Sequence, residues 1–196
     1  KITMSDDASS IMISKTDVTG ESEVIGAALK LTGTPTGEGA TINWTAIKDA
    51  LTDKYGADYA FTAVGNGITW KSGEDDVVIT GLLDGTYTLA ETAADTTNNT
   101  FTDADGVVYK VVESALTFEI ENGEIKADTV ESDDLKHAPA SDSDDSYYYY
   151  NSEENANTIV VANAEYVPKA TVVVSKKALN GETAEDLDAN ATAAKF

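Results

Sequence analysis

The feature that most constrains this chain is its rhythm: short runs of alternating apolar and polar residues, closed again and again by glycine or asparagine turns. Ile11 to Lys15 (IMISK) alternates in this way, and a turn follows at Thr19-Gly20. Ala27 to Leu31 (AALKL) reads as a second strand ending at Gly33. Gly67 to Lys71, Asp76 to Thr80 (DVVIT), Thr86 to Glu91 (TYTLAE), Val107 to Val112 and Ala115 to Glu121 continue the pattern, with a turn over Gly81 to Gly85. Asn122-Gly123 is a hairpin signal leading into Glu124 to Ala127, and Thr158 to Ala162 (TIVVA) reads as a buried strand. A period of two puts one face of each segment inside and the other outside, and many short strands with tight turns predict an all-β sandwich.

Two stretches break the rhythm. After a loop at Pro35 to Gly39, the segment Thr41 to Tyr55 places Trp44, Ile47, Leu51 and Tyr55 at helical spacing, with Gly56 as a stop. That predicts one amphipathic helix of about three turns, its apolar stripe turned to the core. From Thr129 to Asn157 the chain is acidic and loosely patterned. It reads as a long exposed loop, with an edge strand at Tyr147 to Tyr150. Those tyrosines also suit an adhesive patch, since Tyr combines contact area with a polar tip. Asp103-Ala104-Asp105-Gly106 has a fragment of calcium-loop spacing without the remaining ligands, and reads as a tight turn.

Toward the end, Glu165 to Lys169 (EYVPK) reads as a linker, because Pro168 cannot sit in a central strand. Ala170 to Lys177 then restarts a strand in which Val174-Ser175-Lys176 repeats the order of Ile13-Ser14-Lys15, and Asn180-Gly181 forms a turn. The expected division is one β-sandwich domain over 1–167, then a linker and the first strand region of a truncated second domain over 168–196. The latter is too short for a core of its own. Lys1 in place of Met suggests a piece of a longer, processed chain.

Composition narrows the partners. The chain carries 13 basic and 35 acidic residues, a net charge of −22, which repels nucleic acid and anionic membrane. There is no cysteine, so disulfides and thiolate sites are excluded. His137 is the single histidine, so neither a histidine triad nor a multi-histidine metal site is supported, and no cofactor or metal is expected. No apolar run is long enough for a membrane span. The chain has many carboxylates, but no motif sets two of them across a cleft, and an enzyme is not expected.

Taken in order, Val78-Ile79-Thr80-Gly81-Leu82 and Gly85-Thr86-Tyr87-Thr88-Leu89-Ala90-Glu91-Thr92 resemble the signature of Cna protein B-type domains of Gram-positive pilins and collagen-binding adhesins. Ser14-Lys15-Thr16-Asp17 with Gly26-Ala27, and Val160-Val161-Ala162-Asn163, are similar to the first and last strands of that family. The resemblance covers about residues 11–166, with the helix and the acidic loop as insertions. Where the family often has Pro and then Gly-Tyr after the Glu-Thr segment, this chain has Asp95 and Asn98-Asn99. The resemblance implies an immunoglobulin-like or prealbumin-like sandwich, on the outside of a cell, in a wall-anchored protein or pilus.

The resemblance also implies a self-made isopeptide bond between Lys15 and Asn163, assisted by Glu91. The residue types suit that chemistry. An ammonium is no nucleophile, and burial favours the uncharged forms of amine and carboxyl alike. Glu91 would hydrogen-bond and polarise the Asn163 carbonyl and carry the proton from amine to departing ammonia. Adjacent first and last strands would hold amine and amide in contact. The event happens once per chain, as maturation rather than turnover. Lys176 is the matching lysine of the second domain. Lys169, in Tyr-Val-Pro-Lys, distantly resembles the lysine motif through which shaft pilins are joined to one another, in a different residue order. The expected role is a structural stalk or shaft module whose partners are neighbouring domains or subunits. The alternative is an adhesive module that binds a host protein or glycan through the helical insertion or the Tyr-rich loop. A compact insertion favours the first role, and an exposed aromatic patch the second.

Overall fold

The alternation along the strands is realised as two facing sheets. The computed structural model describes residues 9–150, 157–168, 177–180 and 183–186. Contacts divide the chain into two units, Lys1–Tyr166 and Val167–Phe196. In the first unit the elements run β1 (Ser9–Asp17), β2 (Ala28–Pro35), α1 (Trp44–Tyr55), β3 (Thr62–Val64), β4 (Gly67–Lys71), β5 (Val77–Leu82) and β6 (Gly85–Thr92). They continue through β7 (Thr100–Thr102), β8 (Val108–Lys110), β9 (Leu116–Glu121), β10 (Glu124–Ile125), β11 (Leu135–Lys136), β12 (Tyr147–Tyr150) and β13 (Thr158–Asn163). One sheet has the order β11-β12-β13-β1-β5, the other β10-β9-β6-β2-β4-β3, and β7 and β8 form a separate hairpin. The fold is a β-sandwich with one α-helix among the described residues.

The first strand and the last strand of this unit are parallel neighbours, with Lys15 opposite Val161 and Asp17 opposite Asn163. Ile11 and Ile13 of β1 and Ile159 and Val161 of β13 face inward, against Leu29 and Leu31, Ile68 and Trp70, Tyr87 and Leu89, and Leu116 and Phe118 of the other sheet. Burial of these alternate side chains is the main favourable term holding the sheets together. Gly33 sits where a Cβ would lie 2.4 Å from the Tyr87 ring, so β2 can pass this close only as glycine.

The helix begins at Trp44 rather than Thr41, because the Asn43 side chain accepts from the Ala46 amide and caps it. Gly56, at φ 88°, ends it. Trp44, Ile47 and Leu51 are buried in the core, and Ile47 packs beside Gly81 of the edge strand β5. Asn122 and Gly123 both have positive φ and form a two-residue hairpin turn between β9 and β10.

The acidic stretch departs from expectation. Tyr147 to Tyr150 is not an edge strand in an exposed loop but an interior strand, paired antiparallel with β13 and parallel with β11. Tyr148 and Tyr150 enter the core. Tyr147 points the other way and is buried too, because the preceding loop folds over it: the Ala140 amide donates to its hydroxyl, and the Lys136 ammonium lies over its ring. The loop is pinned by Asp134, whose carboxylate accepts from the Ser114 amide and hydroxyl, and by reciprocal backbone bonds between Thr117 and Glu131. Three of the four tyrosines are thus taken into the fold, and Tyr149 is half-buried.

In the second unit, strands β14 (Lys177–Asn180) and β15 (Thr183–Asp186) form an antiparallel hairpin. Lys169, Lys176 and the strand expected over 170–176 lie outside the described residues.

Candidate functional site

Three inward-facing strand positions carry an amine, a carboxyl and an amide. On β1 the alternation that buries Ile11 and Ile13 also buries Lys15, which is 4% exposed. On β6 the alternation that buries Tyr87 and Leu89 buries Glu91. On β13, Asn163 follows Val161 on the inner face and is fully buried. Lys15 and Asn163 belong to one sheet, and Glu91 reaches them from the other.

The three side chains meet. Lys15 Nζ lies 3.5 Å from Glu91 Oε1, close enough for charge attraction but long for a hydrogen bond. Asn163 Nδ2 donates to Glu91 Oε2 at 2.9 Å and to the Lys110 carbonyl at 2.7 Å. The Val112 amide also donates to Glu91 Oε2, at 2.8 Å. Phe101 closes the apolar side, its ring centroid 5.6 Å from Lys15 Nζ. Tyr148, wholly buried, donates to the Leu89 carbonyl two residues before Glu91.

Burial pushes the Lys15 amine below its ordinary value. The opposing attraction of Glu91, with a smaller one from Glu23, does not offset it. Desolvation wins because the ammonium gives up water for a single distant carboxylate oxygen. Among the described residues, five buried side-chain polar atoms lack a hydrogen-bond partner, and three of them are Lys15 Nζ, Glu91 Oε1 and Asn163 Oδ1. The unmet polar demand of the domain is thus concentrated in one cluster, where each orphan costs about 1–3 kcal/mol.

The sequence-based candidates Lys15, Glu91 and Asn163 are all brought together, although they lie far apart in the chain. One detail differs from expectation. Glu91 does not meet the Asn163 carbonyl but its amide nitrogen. The reason is the Lys110 carbonyl: two acceptors face this position, so the NH₂ end must occupy it and the oxygen is turned away. The parts missed by sequence reasoning are the Lys110 carbonyl, the Val112 amide and Ser146. Two of these are backbone groups and leave no mark on side-chain pattern.

The other candidates fall elsewhere. The Asp103 carboxylate accepts from the Asp105 and Val107 amides and is spent closing its own turn. Asp95 likewise accepts from the Thr97 amide and the Asn98 side chain, so this loop is closed by side-chain hydrogen bonds where the family resemblance expected proline and glycine. His137 is exposed. Among the described residues no group of His, Cys, Asp or Glu is placed to hold a metal ion, and no helix is long and apolar enough to cross a membrane. Val167 is the one large apolar residue exposed among them.

No protein-family model and no curated protein matches the chain. Among solved structures, the pilus adhesin RrgA from Streptococcus pneumoniae is similar over 83% of this chain and 16% of that chain, at 17% identity and a TM-score of 0.42. The chain thus spans a small part of that adhesin's length.

Proposed function

We propose that this chain is a structural module of a bacterial surface protein or pilus, locked by an isopeptide bond that Lys15 and Asn163 form with the help of Glu91. The observation that carries the reading is the buried convergence of an amine with lowered proton affinity, a primary amide and a carboxylate touching both. The resemblance to Cna B-type domains, drawn from the order of the sequence motifs, supports the same reading.

The arrangement suits one balanced reaction. A proton passes from the Lys15 ammonium to Glu91, leaving a neutral amine. The amine attacks Cγ of Asn163, and a C–N bond forms. Glu91 then gives its proton to Nδ2 and takes the surplus proton of the attacking nitrogen. The Cγ–Nδ2 bond breaks, and ammonia leaves. The two oxygens of Glu91 already face the two nitrogens, one each, so the proton needs no relay through water. The product replaces a buried cation by a neutral amide, removing the charge whose burial was costly.

The mechanical consequence follows from topology. Because β1 and β13 are parallel neighbours, tension entering before Ser9 and leaving after Asn163 would shear them along their length. A covalent tie from Lys15 to Asn163 carries that load across and leaves the strands between them unloaded. By the loop-closure argument for a cross-link of this span, it would stabilise the domain by about 5 kcal/mol.

The adhesive alternative is less favoured, because three of the four tyrosines of β12 are buried and the apolar residues Trp44, Ile47 and Leu51 of α1 lie in the core. The test is intact mass under denaturing conditions, followed by peptide mapping. A chain one ammonia light, with Lys15 and Asn163 in one branched peptide, supports the reading; an unmodified mass defeats it.

A further inference from the structure

The amide nitrogen that would leave Asn163 is held by a second group besides Glu91. Its other acceptor, the Lys110 carbonyl, is itself fixed by Ser146, whose hydroxyl donates to that carbonyl at 2.8 Å. The same hydroxyl accepts from the Ala164 amide at 2.9 Å, and Ala164 directly follows Asn163. The Lys110 amide closes the ring by donating to the Ala164 carbonyl at 2.9 Å. Ser146 is 6% exposed, so water competes little for these bonds. The β7–β8 hairpin that supplies Lys110 lies outside both main sheets, and these bonds tie it to the end of β13.

We propose that the Lys110 carbonyl is the second acceptor for the departing nitrogen, and that Ser146 is the positioning residue that aims it; this rests on the cross-linking reading above. An amide nitrogen is a modest donor. As Nδ2 takes up a proton and its bond to Cγ breaks, it becomes ammonium-like, and its hydrogen bond to a fixed carbonyl strengthens. An interaction that strengthens along the reaction lowers the barrier, provided the acceptor is already in place. Lys110 and Ser146 also line a polar groove of about 310 Å³ with Asn98, Asp134 and Tyr166, which gives the released ammonia a space beside the site.

The test uses unreacted full-length chain, obtained denatured and refolded by dilution, with ammonia loss followed by intact mass and folded fraction by the fluorescence of Trp44 and Trp70. Per folded molecule, Ser146→Ala should react about tenfold more slowly than wild type, the loss expected for one hydrogen bond made to a developing charge. Ser146→Thr, which keeps the hydroxyl, should restore most of the rate. The pH at which the rate falls should stay unchanged, because Ser146 acts on the leaving nitrogen and not on Lys15. A folded Ser146→Ala chain that reacts at the wild-type rate, a threonine variant as slow as alanine, or a displaced pH profile overturns the proposal and leaves the cross-link itself standing. If Ser146→Ala does not fold, Ser146→Thr against Ser146→Val decides by the same criterion, since the two differ in the hydroxyl alone. No ammonia loss from wild type overturns the cross-linking reading first, and this proposal with it.

Discussion

At the scale of single residues, the proposed chemistry turns on Lys15. A lysine on the inner face of a β-sandwich is costly as an ammonium, and its lowered proton affinity expresses that cost. The sign of the pH effect follows. The proton that Lys15 passes to Glu91 is the one Glu91 later gives to Nδ2, so ammonia release from refolding, unreacted chain should slow as pH rises through the lowered lysine value and strips that proton from the pair. The fall should be under way below 10.5, the ordinary lysine value, because burial has moved the transition downward. A rate undiminished up to 10.5 would show that the amine reacts from a solvated state. Glu91→Gln keeps the shape of the side chain but cannot accept the lysine proton. That variant should fold and keep the full sequence mass, read by mass spectrometry of the soluble protein.

Secondary-structure elements explain why the three residues meet. Glu91 lies inward because Tyr87 and Leu89 do, and Lys15 because Ile11 and Ile13 do. Their burial was legible in the sequence as period-two alternation, and the family resemblance singled them out. Strand β12 was not legible in this way. Four consecutive tyrosines carry no alternation, and the acidic residues around them suggest solvent. The outer face of β12 is partly covered because the loop before it folds back over Tyr147, a tertiary effect that periodicity cannot carry. Tyr148→Ala should therefore cost about 3–5 kcal/mol in urea denaturation, as for truncation of a large aromatic in a core. A cost near zero would return β12 to the surface. The helix start was misplaced by three residues for a local reason, the Asn43 cap. Asn43→Ala should cost about 1 kcal/mol and keep the one-ammonia deficit relative to its own sequence mass, because the cap lies away from the Lys15–Glu91–Asn163 cluster.

For the first unit as a whole, the decisive fact is the pairing of its first and last strands. A sandwich held by hydrogen bonds alone would unzip or shear at that pair under load. A tie between Lys15 and Asn163 would convert it to a covalent path. Pulled from its ends by single-molecule force spectroscopy, the cross-linked domain should show no extension from the segment between Lys15 and Asn163, whereas Lys15→Arg should release that length. The backbone groups that complete the site, Lys110 and Val112, became visible only once the strands were placed, since a carbonyl and an amide belong to every residue and mark none. The proposed tie is one bond, and the intact mass of the purified wild-type chain under denaturing conditions tests it most directly. A mass one ammonia below the value for the sequence, restored in full by Asn163→Ala after allowing for the substitution, is the predicted result. A wild-type chain at its full sequence mass, folded and yet unlinked, would contradict it.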